Sequence, residues 1–236
     1  MQIRFKRPFD PVFGVRNKVA MLAAFAAILT LHCHKLGYNS IIMEWLLFLP
    51  ALLIAITVHE FAHAWMADHL GDPTPQLEGR LSLNPLKHLD PVGTLMLLVF
   101  RFGWGKPVMF DPYNLRHPRR DGALISLAGP GINLVLATIC SLLVKLTPLS
   151  AWAILLVPLI IMNINLAIFN LLPVAPLDGE KILAGILPRA WADEYQDFMR
   201  AYGMVLLILL ILPLRGSSLA ISLIMPVINL IAKLLL

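Results

Sequence analysis

The sequence predicts an all-α polytopic membrane protein with about six transmembrane helices. Three observations carry that expectation. Of the 236 residues, 58% are apolar and only 14% charged, whereas soluble domains run nearer one-half and one-quarter. Mean hydropathy is strongly positive, at +0.78. The apolar residues also fall into blocks that, at about 20 residues per span, leave room for roughly six helices and little else. The whole chain, 1–236, therefore reads as one transmembrane domain, with a core over approximately 40–200 and a C-terminal helical hairpin over 201–236. The net charge of +5 does not require nucleic acid, because an excess of Lys and Arg in cytoplasmic loops is an ordinary property of membrane proteins. Cys33 and Cys140 lie in or beside apolar segments, away from any metal-spaced pair, and read as buried thiols.

The first expected helix is Val19 to Leu31, preceded by a basic tail (Arg4, Lys6, Arg7, Arg16, Lys18). It resembles a signal peptide but runs into His32-Cys33-His34-Lys35 without a small-residue cleavage site, so it reads as a retained span. His32 and His34 are two apart and face different sides of a helix, which suits an interfacial position better than a shared metal. The second block, about Ser40 to Leu70, ends at Gly71-Asp72-Pro73, a helix stop. A turn-rich stretch, Thr74 to Asp121, follows. Its short apolar run Leu95 to Phe102 is too brief to cross a bilayer. It reads either as a re-entrant or short β segment or half-helix between helices two and three, or as a surface-lying hydrophobic hairpin.

Helices three and four are expected over Ala123 to Leu146 and Ala151 to Leu172. The second of these holds Asn163, Asn165 and Asn170, amides that must find partners in the bundle or line a wet cavity. Pro173 to Gly179 breaks the chain, a charged amphipathic stretch covers Glu180 to Arg200, and two last helices are expected over Tyr202 to Ile211 and Leu219 to Leu236. Sorting the loops of six spans by side puts 16 of the 19 Lys and Arg on the side of both termini. By the positive-inside rule that side is cytoplasmic, as in a prokaryotic inner membrane.

The chemistry centres on Thr57-Val58-His59-Glu60-Phe61-Ala62-His63. Two histidines four apart share one helix face and can reach one Zn²⁺, while the glutamate beside the first can take a proton from water. The motif closes an apolar run, where uncompensated His and Glu are costly and usually functional. A hydrolytic zinc site needs a third protein ligand and an open position. The candidates are His69, His88, Asp72, Asp90 and Asp178. His69 points to another side of the same helix, and Asp178 is favoured because the loop count brings it to the motif's membrane level inside a Pro/Gly-broken segment. With one zinc per chain on His59, His63 and Asp178, Glu60 acts as general base and then donates to the leaving amine. Asn133 is the candidate oxyanion donor, interhelical hydrogen bonding being its other reading. The expected catalytic residues are thus Glu60 and Asn133, near the cytoplasmic side.

Beyond the isolated motif, most of the stretch from Trp45 to Gly185 resembles the site-2 protease family of intramembrane zinc metalloproteases. The resemblance rests on His59-Glu60-x-x-His63-x-x-x-Ala67-x-x-x-Gly71, on Gly79-Arg80 through Gly93-Thr94, and on Gly105-Lys106-Pro107-Val108. It continues through Asn114-Leu115-Arg116, Gly129-Pro130-x-x-Asn133 and Asn170-x-x-Pro173-x-x-Pro176-Leu177-Asp178-Gly179. It implies cleavage of a transmembrane protein or peptide substrate within or near the lipid bilayer, and it supports the ligands and base named above. It also makes Asn133 more attractive as a substrate contact. The chain looks like the compact subgroup without PDZ or CBS domains. Two other functions fit parts of the pattern, a zinc transporter or sensor and a catalytically silent membrane scaffold. Substrate identity and oligomeric state are not written in the sequence.

Overall fold

The computed structural model of the chain describes residues 41–100, 105–146, 153–214 and 217–236. The expected first helix, Cys33 and the His32/His34 pair lie outside the described residues. Helix α1 (Ile41–His69) carries the histidine motif in its C-terminal half. It stops where the sequence says it should. Gly71 adopts φ 106°, its N–H bonds to the Asp68 carbonyl at 3.0 Å, and the Asp72 N–H reaches the Ala67 carbonyl at 2.9 Å. That pair of bonds is a Schellman cap, which a residue with a Cβ could close only under strain.

One short helical turn, α2 (Thr74–Leu77), leads into the loop over residues 78–90. Helix α3 (Pro91–Phe100) begins at Asp90, whose Oδ1 accepts the Gly93 N–H at 2.8 Å. At 1.5 Å per residue α3 is about 15 Å long, half the thickness of a hydrocarbon core. Leu89 and Gly105 pair in an isolated antiparallel bridge, so the chain leaves and returns at one place. Of the expected run 95–102, the part as far as Phe100 is helical. The strand reading does not hold there: Pro91 suits a first helical turn and the run continues as helix to Phe100, and among the described residues of this segment β pairing is confined to that bridge.

Helix α4 (Pro118–Leu146) starts five residues before the expected position. Pro118 favours a helix start, and the Asp121 carboxylate accepts the His117 N–H at 2.8 Å. Helix α5 (Ala153–Asn170) is followed by a loop and by α6 (Asp178–Ile186). Helix α7 (Arg189–Ile211) is one continuous rod, which corrects the expectation of an amphipathic stretch to residue 200 and a separate helix from 202. The break falls earlier, at Leu187-Pro188, because the proline suits the start of a new helix and nothing between Arg189 and Ile211 interrupts it. A two-residue ribbon, β1 (Pro213–Leu214) with β2 (Ser217–Ser218), turns the chain into α8 (Leu219–Leu235), whose cap is the Ser218 Oγ accepting the Ile221 N–H at 3.1 Å.

Among the described residues, Leu47–His69 and Pro118–Leu146 are long and apolar enough to cross a membrane, while Leu155–Asn170 and Leu219–Leu235 are apolar but shorter. Helix α4 is central, packing against α1, α5 and α6. Ile160, Ile164 and Phe169 of α5 meet Leu177, Leu207 and Ile224 in one apolar cluster, and Ala51 and Ala55 of α1 pack on Met162 and Leu166 in another. Beside these apolar clusters the interior also holds polar side chains, and many large apolar side chains are exposed. His59, His63, Ser126, Asn133, Asn163 and Asn165 are buried, while Ile139, Leu142, Leu155, Leu223, Leu230 and Leu234 face outward.

Candidate metal centre

His59 and His63 are four positions apart on α1, so one helical turn brings the imidazoles together edge to face, with ring centroids 4.6 Å apart. His59 Nε2 lies 3.1 Å and His63 Nε2 3.3 Å from Asp178 Oδ2. The three ligand atoms all lie within 4.8 Å of one another. Asp178 is the first residue of α6, set there by the fully buried Leu177 before it. The far end of α6 is also tied down. Arg119 Nη2, in the first turn of α4, donates to the carbonyls of Ala184 and Leu187, both at 2.8 Å. Tyr195 Oη of α7 donates to the Pro173 carbonyl at 2.8 Å and holds the preceding loop.

The other ring nitrogens fix the tautomers. His63 Nδ1 lies 2.7 Å from the Ile125 carbonyl, a group that can only accept, so Nδ1 carries the proton and Nε2 keeps its lone pair. His59 Nδ1 lies 2.6 Å from Asn133 Oδ1. The orientation of that amide follows from its other end, because Asn133 Nδ2 donates to the Ala55 carbonyl at 3.0 Å and to Asn163 Oδ1 at 2.7 Å. Asn163 is oriented in turn by its Nδ2 donating to the Leu159 carbonyl at 2.8 Å. His59 therefore also donates from Nδ1 and keeps a lone pair on Nε2. Two imidazole lone pairs and one carboxylate converge on one point, with hydrogen bonds behind both rings, which is the donor set and outer shell that catalytic zinc takes.

Glycine at 129 makes the approach of α4 feasible. A Cβ there would stand 2.4 Å from His63 Nε2 and 2.7 Å from His59 Cε1. Glu60, between the histidines in sequence, accepts the Val108 backbone N–H on Oε2 at 3.0 Å.

The remaining ligand candidates are elsewhere. His69 stacks on Trp65 with centroids 5.3 Å apart. His88 is buried and donates from Nε2 to the Ser82 carbonyl at 2.7 Å. Asp90 caps α3. Asp72 is fully buried and accepts from Thr74 Oγ1, Asn114 Nδ2 and the Asp111 N–H at 2.6, 2.8 and 2.7 Å. Burial pushes its carboxyl up, but the hydrogen bonds from Thr74, Asn114 and Asp111 outweigh that and hold it below the ordinary carboxylate value. Asn133 is brought to the site, and in this arrangement its amide Nδ2 donates to two protein acceptors, the Ala55 carbonyl and Asn163 Oδ1.

Comparison with known proteins agrees with this constellation. The profile described as peptidase family M50 matches residues 146–211, a segment that contains Asp178. The chain is 38% identical over 183 residues to "Putative zinc metalloprotease YwhC" of Bacillus subtilis, a match spanning 70% of this chain and 80% of that protein. The chain belongs to peptidase family M50. This M50 peptidase is also 30% identical over 170 residues to "Putative zinc metalloprotease Rip2" of Mycolicibacterium smegmatis, covering 68% of its own length and 65% of the relative. With the protein of the same name from Mycobacterium tuberculosis H37Rv it shares 28% identity over 216 residues, covering 87% and 80%. No solved structure matches this M50 chain. Family and donor set agree on a metalloprotease whose metal is zinc.

Sequence reasoning named the motif and Asp178 but missed Gly129 as a contact, Asn163 as the support of Asn133, and Val108 as the donor to Glu60. The Gly129-Pro130 pair inside an apolar span was the visible signal for the first. The other two depend on contacts between distant segments and leave no local trace.

Proposed function

We propose that this chain is an intramembrane zinc metalloprotease that hydrolyses peptide bonds in or near the membrane-spanning segments of other proteins. The observation that carries the reading is the position of the candidate ligand cluster: His59 and His63 are buried and Asp178 partly buried between α1, α4 and α6, with Asn133 and Asn163 buried beside them, in a bundle that exposes many large apolar side chains. Buried amides and imidazoles beneath an apolar surface suit a lipid surround, because such groups need partners that lipid does not offer. About six spans, with both termini and the site toward the cytoplasm, agree with the distribution of Lys and Arg among the loops. In this reading the substrate bond is met in or near the bilayer as well.

His59, His63 and Asp178 would hold the metal. Zinc bound there supplies a Lewis acid that acidifies water and polarises a carbonyl. Asn133 and the Ile125 carbonyl keep both imidazoles in the ligating tautomer. Glu60 receives a proton from the attacking water and returns it to the departing amide nitrogen. Asn133 in this reading orients His59 rather than binding the oxyanion, since its hydrogens are engaged by Ala55 and Asn163.

The test uses the purified full chain in lipid nanodiscs with a fluorogenic single-span peptide whose centre carries helix-weakening residues. Glu60→Gln should lower kcat by about 10²- to 10⁴-fold while metal analysis still finds one zinc per chain. Cleavage by Glu60→Gln at the parent rate would remove Glu60 as the base.

A further inference from the structure

Arg80 is the largest fully buried side chain among the described residues, 2% exposed. A guanidinium out of water is expensive, by several kcal/mol after relaxation, unless its charge is answered. Among the described residues its one carboxylate within 4 Å is Glu78, at 3.8 Å from Nε and itself exposed. Nε makes no hydrogen bond. The cation is satisfied instead by two carbonyls from different segments, Nη1 donating to Lys87 and Nη2 to Pro107 at 3.0 Å. Only the planar fork of an arginine reaches both.

The Pro107 carbonyl and the Val108 N–H belong to one peptide unit. Its oxygen accepts from Arg80, and its N–H donates to Glu60 Oε2, both at 3.0 Å. A peptide unit is rigid and carries a dipole of about 3.5 D, so turning its oxygen toward a cation turns its N–H toward an anion. The strip around it is anchored on its other side, with the Lys106 N–H on the His88 carbonyl at 2.7 Å and Gly105 bridged to Leu89. We infer that Arg80 is a positioning residue for the Glu60 carboxylate, acting through the Pro107–Val108 peptide, which it aims so that one Glu60 oxygen is pinned and the other faces the reacting water. The alternative is a plain staple between two loops, in which the orientation of that one peptide has no bearing on the reaction. The inference rests on the reading of Glu60 as the base.

The experiment is a double-mutant cycle on the full, zinc-loaded chain in nanodiscs, with the fluorogenic single-span peptide as probe. Arg80→Met removes the cation. Replacing Val108 by its α-hydroxy acid removes the N–H and keeps the shape. Each change should lower kcat by about 10- to 100-fold, the range for a lost hydrogen bond to a charged group. KM and zinc content should stay within twofold, and the double variant should be no slower than the slower single one. Hydrogen exchange supplies a readout independent of turnover: the Val108 amide should be protected in the parent and should lose protection in Arg80→Met while the Lys106 amide keeps it. Multiplicative losses, or an unchanged kcat on deleting the Val108 N–H, overturn the inference. If Arg80→Met does not fold, the α-hydroxy variant alone decides, because an undiminished kcat there is equally fatal. An active Glu60→Gln chain sinks the base reading instead, and is told apart because the exchange result at Val108 stands without it.

Discussion

The two sides of the metal centre are built by different means. The histidine side is helix against helix: His59 and His63 project from α1 by helical periodicity, and α4 meets them with Asn133, the Ile125 carbonyl and the bare backbone at Gly129. The acid side is loop and helix end. Asp178 opens α6, and Glu60 is met by an extended strip whose registry depends on Arg80 and one peptide unit. Helical spacing guarantees the first side once the helices pack. The second side has to be held at several points, and the chain holds it with Arg119, Tyr195 and Arg80. A site of this kind should fail by loss of metal when the histidines or Asp178 are disturbed and by loss of rate when the strip that meets Glu60 is.

The strongest way to break that contrast is Gly129→Val. Its Cβ and two methyls would occupy the space of the imidazole edges, so zinc retention against a chelator should weaken by at least about a hundredfold, beyond the usual outer-shell effect. Metal analysis after dialysis checks it, and a variant that keeps stoichiometric zinc would show that the α1–α4 approach is looser than described. Asn163→Ala is milder. It leaves Asn133 in place but removes the acceptor that helps orient its amide, and zinc retention should drop about tenfold with the bundle intact. The absorption bands of the Co²⁺-substituted protein should shift with it. Unchanged retention and spectrum would mean that the Ala55 carbonyl alone fixes Asn133.

The smallest effect is expected at Asp72, outside both sides, where α1 is tied to the 111–114 turn. Its folded carboxyl titrates below the ordinary value, so its contribution is present above about pH 4 and lost as pH falls through the lower folded value. Asp72→Asn should cost about 1–3 kcal/mol near neutrality by opposing a donor to the Asp111 N–H. Thermal unfolding in detergent should show the gap between parent and variant narrowing below about pH 4. A gap that stays constant or widens in acid would contradict the assignment.

The contrast also explains what could be read in the sequence. The histidine pair, the stop at Gly71 and the helical runs of α4 and α5 were legible because a repeat of 3.6 and a glycine after the last turn are local signals. Asp178 was legible as a ligand candidate through loop counting, a coarse argument that needs no contacts. Arg80 was visible only as part of a motif, and its reach to Pro107 is a tertiary fact. The 180–211 region was misdivided because charge composition changes at residue 200 while the helix does not: composition follows the surroundings, and continuity follows the absence of a breaker. For Asn133 the sequence offered both substrate donor and interhelical partner, because the neighbours of an amide in a span, here Ala55 and Asn163, are tertiary facts.

One element reaches each candidate ligand or the helix that carries it. From Arg119 in its first turn to Asn133 in its middle, α4 grips the end of the helix that begins with Asp178, backs His63 with the Ile125 carbonyl, and backs His59. Those 14 residue steps span about 21 Å of helix. Residues 119 positions apart in the chain are thus gauged against a single ruler, and a change that bends α4 would alter all three ligand positions together while leaving the histidine motif itself untouched.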